Sequence, residues 1–111
     1  MSLAERCYQI TTSFPNEERC GLTAQTRRSA VSIAANIAEG HGRETTGAFV
    51  QFLRNAQGSL KELETHLMLA CRVHCVSQVE AEPLLVRCEE LGRMLRSLIR
   101  SLQRKIEGTR T

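Results

Sequence analysis

A long heptad pattern runs through residues 49–74, which read FVQFLRNAQGSLKELETHLMLACRVH. Its seam positions recur at alternating steps of four and three residues: Phe49, Leu53, Ala56, Leu60, Leu63, Leu67, Ala70 and His74. Such a seam lies on one face of an α-helix and packs against neighbouring helices. The pattern predicts a helix over about residues 46–74, capped by Thr45 or Thr46. Gly58 inside it predicts the close approach of another helix.

Three further amphipathic segments flank this one, at about residues 2–14, 22–39 and 78–106. Apolar side chains recur in each at helical spacing, so each predicts one buried face. These stripes are Leu3, Cys7, Ile10 and Phe14, then Ala30, Ile33 and Ile37, and finally Leu84, Cys88, Leu91, Leu95, Leu98, Leu102 and Ile106.

Several residues predict where these helices begin and end. Pro15 cannot continue the first helix, because proline lacks the backbone N–H. Thr23 is the expected N-cap of the second helix, and Gly40 and Gly42 are expected to end it in the left-handed conformation. Proline is tolerated only in the first turn, so Pro83 predicts that the last helix proper begins near Glu82.

No segment alternates apolar and polar residues as a strand does, and the links between the four segments are short. Four helices joined in this way favour an all-α, antiparallel, up-down-up-down four-helix bundle. The 111 residues suit a single domain, residues 1–111, and 41% hydrophobic residues suffice for its core.

Composition disfavours several classes of function. Aromatic residues make up only 4%, which argues against base-stacking readers of single-stranded nucleic acid. There is no Asp, no phosphate-binding loop and no Ser-His-acid set with local support, so we expect no enzyme, no catalytic residue and no cofactor. The absence of a signal peptide and of a long apolar run predicts a cytoplasmic protein with no membrane partner.

The five cysteines form no even framework, which predicts reduced thiols rather than a disulfide scaffold. Cys71, His74 and Cys75 share one helical face and could together hold a metal ion. No second half-site follows at zinc-ligand spacing, so we interpret them as small buried side chains and expect no metal.

A polar stripe lies beside the apolar face of the second helix, and the third helix carries a matching one. Such a stripe can be a solvated face, the lining of a cleft, or a close contact between helices or subunits. Solvated faces are usually rich in Lys and Glu, whereas short amides and hydroxyls beside small residues suit a contact in which each polar group has a partner. The predicted interface network is Gln25, Arg28, Ser32, Asn36, Glu39, Arg43, Ser59 and Glu62.

Charge is concentrated at one end of the chain. The formal net charge is +3, but residues 91–111 carry six cationic side chains and one acidic side chain. Arginines three and four residues apart lie along one helix face and suit contact with phosphates. A solvated face or ion pairs with another subunit would give the same pattern. The residues expected to contact RNA or DNA are Arg93, Arg96, Arg100, Arg104 and Lys105.

Two further runs carry a resemblance to a known family. One is Asn36-Ile37-Ala38-Glu39-Gly40 followed by Gly42-Arg43, and the other is Gly58-Ser59-Leu60 followed by Glu62-Leu63-Glu64-Thr65. With the Phe14-Pro15 and Gly21-Leu22-Thr23 runs, this pattern resembles the bacterial four-helix bundle proteins, also called the 23S rRNA intervening-sequence protein family. It is similar also to the accessory variability determinant of diversity-generating retroelements.

The resemblance implies a homopentamer, a ring or barrel with a central opening. The retroelement relative binds nucleic acid and a reverse transcriptase. The resemblance implies no catalytic residue in this chain. One hypothesis is therefore a non-enzymatic oligomeric scaffold that contacts RNA or DNA phosphates without sequence specificity. The alternative is an adaptor that binds a partner enzyme and makes no nucleic-acid contact. A third is a metal-binding or small-molecule-binding bundle.

Overall fold

The computed structural model describes residues 2–16 and 21–110, and the side chains in these ranges up to residue 108. Over these residues it contains four α-helices and no strand: α1 (Leu3–Thr11), α2 (Leu22–His41), α3 (Thr46–Arg72) and α4 (Gln78–Arg110). The prediction of an all-helical chain with four helices is confirmed.

The main core is built from all four helices. Leu53, Leu63 and Leu67 of α3 are fully buried, and Cys7 of α1 and Cys88 of α4 join the same cluster. The heptad seam of α3 is therefore buried from Leu53 to Ala70, as its spacing predicts. The two ends of the seam differ: Phe49 is half-buried, and His74 is exposed beyond the end of the helix.

The first helix is shorter than predicted, because it ends at Thr11 rather than near residue 14. The hydroxyls of Thr12 and Ser13 donate to the carbonyl oxygens of Gln9 and Ile10, at 2.6 and 2.7 Å. Side-chain bonds of this kind compete with continuation of the helix. Phe14 is nevertheless buried, in a second cluster that closes the end of the core near the α3–α4 turn.

Both predicted ends of α2 need correction. The helix begins after Gly21, which makes no side-chain cap, so Thr23 is not the N-cap. At the other end α2 continues through Gly40 to His41, and Gly42 has a right-handed φ of −84°. Gly40 serves packing instead: a Cβ there would lie 2.6 Å from the Cβ of Phe52 on α3.

Hydroxyl side chains mark the starts of α3 and α4. Thr45 Oγ1 accepts the backbone N–H of Ala48 at 3.2 Å, so it is the cap of α3. Ser77 Oγ accepts the N–H of Glu80 at 3.1 Å. The helix therefore starts at Gln78 and contains Pro83, so the prediction of a start at Glu82 is wrong.

The α3–α4 turn also differs from expectation. The third helix ends at Arg72, and His74 has a φ of 62°. A residue in this left-handed conformation is a common helix stop, although it is usually glycine. His74 therefore ends α3, and it does not continue the seam.

The helices differ greatly in length, and this shapes the surface. The second helix packs against α1 and α3, and α4 packs against α3 and α1. The nine residues of α1 span roughly 14 Å and the 33 residues of α4 roughly 50 Å, at 1.5 Å per residue. Over the described residues, no helix combines the length and the apolar character needed to cross a bilayer.

Candidate nucleic-acid interface

The centre of the predicted polar network joins α2 to α3. The hydroxyls of Ser32 and Ser59 are hydrogen-bonded at 2.8 Å across the two helices. Asn36 donates its amide N–H to the backbone oxygen of Ser32 at 2.8 Å and to its hydroxyl at 3.2 Å. All three side chains are half-buried, so these hydrogen bonds satisfy polar groups where water is scarce.

The outer part of the network is exposed in the single chain. Arg28 hydrogen-bonds Gln25 on its own helix and lies 3.8 Å from the Glu62 carboxylate on α3. Glu39 pairs with Arg43 at 3.3 Å, and all five of these residues are exposed. The structure thus brings the stripe together along α2 and α3. Among the described residues, Arg28 forms an ion pair with another helix, whereas the hydrogen bonds of Asn36 stay within α2 and Glu39 pairs with Arg43.

Two buried polar residues of α2 escaped the sequence analysis. Ser29 is 2% exposed and its hydroxyl lies 3.1 Å from Nδ1 of His66 on α3. Thr26 is fully buried one turn earlier. A partial signal was present: His66 continues the polar spacing of Ser59 and Glu62 by a step of four residues, which puts it on the polar face of α3 without indicating the residue that it contacts.

The predicted arginine row is exposed along α4, as its spacing indicates. Arg93 pairs with Glu89 at 3.3 Å. Within the described part of the chain, Arg96, Arg100 and Arg104 make no ion pair and no side-chain hydrogen bond. These three guanidinium groups rise about 6 Å per step along the helix. Lys105 is exposed beside them.

Two cations of α3 that were not predicted as site residues adjoin this row. Arg54 and Lys61 line a groove between α3 and α4 together with Arg96. Their seven-residue spacing puts them on one face of α3, which was the available signal. Gly58 lies between them, and a Cβ built on it would have no atom of another described element within 4 Å. None of the other three described helices therefore approaches Gly58 closely, contrary to the prediction.

The cysteines provide no reactive or metal-binding centre among the described residues. Burial raises the pKa of Cys7 to about 11 and the pKa of Cys88 to about 12, so both thiols stay protonated near neutral pH. Cys75 is disulfide-bonded, which departs from the expectation that every thiol is reduced. Within residues 2–16 and 21–110, no three His, Cys or Glu side chains are grouped closely enough to hold a metal ion.

Comparison with known proteins identifies the family to which the chain belongs. The family model for the 23S rRNA-intervening sequence protein matches residues 1–97. No curated protein gives a significant match. Among solved structures, the chain is similar to a protein of unknown function from the S23 ribosomal protein family of Bacteroides thetaiotaomicron. The two are 20% identical, with a TM-score of 0.68 over 88% of this chain and 98% of the other, which is a likeness of fold. The chain therefore belongs to the 23S rRNA-intervening sequence protein family.

Proposed function

We propose that this protein is a non-enzymatic, homopentameric scaffold of the bacterial cytoplasm that binds RNA or DNA through the arginine face of α4. One observation carries the proposal: Arg96, Arg100 and Arg104 stand exposed and unpaired in a row, in the described part of the chain. Unpaired guanidinium groups at regular spacing are suited to the regularly spaced phosphates of a nucleic acid.

The contact is expected to be weak in one chain and indifferent to sequence. Phosphates carry no base identity, and the exposed row contains no aromatic side chain on which a base could stack. Assembly would strengthen it, because five copies of a +3 chain carry about +15 and present five arginine rows at once.

The proposed protomer is an antiparallel, up-down-up-down bundle. Pairing between α2 and α3 supports this arrangement, because later residues of α2 meet earlier residues of α3. Ser29 contacts His66, Arg28 contacts Glu62 and Ser32 contacts Ser59.

The proposed subunit interface is the outer face of α2. Beside the polar network this helix exposes small apolar side chains at steps of seven, four and three residues: Ala24, Val31, Ala35 and Ala38. Small residues allow another helix to approach closely, and the exposed Arg28 and Glu39 can find partners on a second copy. The family resemblance supports a pentamer.

A salt titration of binding tests the nucleic-acid function. We expect the chain to bind duplex DNA and structured RNA at low salt, with log K falling linearly with log salt concentration. Arg100→Glu should weaken binding at least tenfold. Arg72→Glu is the matched control, because Arg72 is also exposed but lies near the opposite end of the bundle. No binding of the wild-type protein even at low salt would refute the function.

A protein-binding adaptor is the second candidate, and exposed apolar side chains favour it. Val79 is 81% exposed and Met94 is 67% exposed, both on α4. Leu98, one turn after Met94, is 39% exposed as well, and apolar side chains exposed on adjacent turns are a feature of surfaces that contact other proteins. Pull-down of a partner that survives Arg100→Glu, with no nucleic-acid binding by the wild-type protein, would favour the adaptor.

A further inference from the structure

A groove of about 470 Å³ runs between α3 and α4, next to the arginine row. Its volume corresponds to roughly fifteen water molecules at about 30 Å³ each, more than a single phosphate group needs. Its wall includes Arg54, Gln57 and Gly58 on α3, and Gly92 and Arg96 on α4.

Two of the three cations that line this groove, Arg54 and Arg96, are not neutralised within the described chain. Arg54 and Arg96 enter it from opposite helices, and neither has an ion pair or a side-chain hydrogen bond among the described residues. The two acidic residues of the groove already have partners. Glu64 pairs with Lys61 at 3.6 Å, and Glu89 pairs with Arg93 at 3.3 Å. Two unpaired like charges facing one space favour an anion between them.

Two glycines keep the groove open. A Cβ at Gly58 would meet nothing within 4 Å, so this part of α3 offers bare backbone to the groove. A Cβ at Gly92 would lie 3.4 Å from Nη1 of Arg96 and 3.5 Å from Cδ2 of Leu60. The missing side chain at Gly92 therefore gives the guanidinium of Arg96 room to lie over its own helix, at the edge of the groove.

We propose that this groove binds a single phosphodiester strand of a nucleic acid, held by Arg54 and Arg96 and continued along α4 by Arg100. The inference rests on the proposed function and names the strand and the site for it. A duplex can lie against the exposed arginine row but does not enter the groove, because packed helices lie only about 8–10 Å apart. The Gln57 amide adds a neutral donor for a phosphate oxygen.

The decisive variant fills the groove without changing its charge. Gly58→Leu should lower the affinity for a labelled oligothymidylate about tenfold. Gly47→Leu is the matched control, because Gly47 also lies in α3 with no atom within 4 Å of its Cβ position but does not line the groove. Arg54→Gln should also weaken binding and reduce the slope of log K against log salt by about 0.7, the value for one phosphate contact in a single strand.

The outcomes distinguish a failure of the groove assignment from a failure of the proposed nucleic-acid binding as a whole. If the wild-type protein binds oligothymidylate, but Gly58→Leu and Arg54→Gln stay within twofold of it while Arg100→Glu loses affinity, the groove assignment is wrong and the arginine face stands. If the wild-type protein binds no nucleic acid, the proposed function fails with it. Circular dichroism and light scattering check that each variant keeps its helicity and mass.

Discussion

At the scale of single residues, glycine has two opposite roles in neighbouring helices. Gly40 of α2 is buried against the aromatic residues that begin α3, and a Cβ there would lie 2.6 Å from Phe52 and 3.0 Å from the ring of Phe49. Gly58 of α3 is exposed with open space around it. The first glycine permits close helix packing, whereas the second weakens its helix and leaves a groove open.

This contrast predicts opposite effects of alanine on the free energy of unfolding. Gly58→Ala should raise it by about 0.5–1 kcal/mol, because alanine loses less backbone entropy in a helix and meets no obstacle here. Gly40→Ala should lower it by about 1–3 kcal/mol, because the added methyl group overlaps Phe52. Urea unfolding followed by circular dichroism measures both. A stabilising Gly40→Ala would contradict the packing argument.

The buried thiols predict how stability depends on alkaline pH. Burial raises the pKa of Cys88 from its ordinary value of 9.0 to about 12, and the nearby Cys7 and Glu64 add to the shift. Above pH 9 the unfolded chain loses these protons and the folded chain holds them. Stability is therefore fully present below pH 9 and is lost as the pH rises toward the folded pKa values, by up to about 1.4 kcal/mol per pH unit for each thiol.

Cys88→Ala tests this dependence. The variant should be less stable by about 1 kcal/mol near neutral pH, since a buried atom is lost, and its stability should fall less steeply above pH 9. Thermal unfolding at a series of pH values measures the difference between the two proteins. Parallel pH profiles for variant and wild type would rule out the buried thiol as a source of the alkaline loss.

At the scale of elements, caps and breakers decide the helix boundaries. Thr45 and Ser77 each accept a backbone N–H three residues later, and both helices start directly after them. Proline is less decisive as a helix breaker, because Pro83 is the sixth residue of α4 and the helix continues through it. Proline there removes the bond that its N–H would donate to the carbonyl of Val79. Packing of Ala81 and Leu84, both buried, outweighs this loss and keeps the segment helical.

Replacing this proline should therefore stabilise the protein. We expect Pro83→Ala to raise the free energy of unfolding by about 1–3 kcal/mol, because the bond to Val79 is restored and only part of the gain is offset by the freer unfolded chain. Glu82→Ala is the neighbouring exposed control and should change stability by less than about 0.5 kcal/mol. Chemical denaturation supplies both values. A loss of stability in Pro83→Ala would mean that α4 needs a bend at this point.

At the scale of the whole molecule, the unpaired cationic side chains and the residues of the proposed subunit interface lie on different sides of the surface. The arginine row, Arg54 and the groove occupy the α3–α4 side. The polar network and the exposed alanines occupy the α2 side. A scaffold that assembles through one side and binds nucleic acid on another needs this kind of separation, because interface formation then leaves the arginines accessible.

The separation predicts how assembly responds to charge on each side. Val31 on α2 is 46% exposed and Val86 on α4 is 48% exposed, so the same substitution tests both at equal exposure. Val31→Glu should reduce the mass in solution from about five chains toward one, since a charge would be buried without a partner in the proposed interface. Val86→Glu should leave the mass unchanged. Light scattering measures both, and an unchanged mass for Val31→Glu would place the interface elsewhere.

The sequence by itself determined the four helices, most of the buried seam and the exposed arginine row, because helical periodicity is a local property of the chain. It also carried the family pattern in the Asn36–Gly40 and Gly58–Thr65 runs. Only the tertiary structure decided the rest. It showed that Gly40 serves packing, that Ser29 meets His66, and that Arg54 shares a groove with Arg96. Each of these depends on which faces of two packed helices meet, and the spacing of residues within one helix does not determine which faces meet.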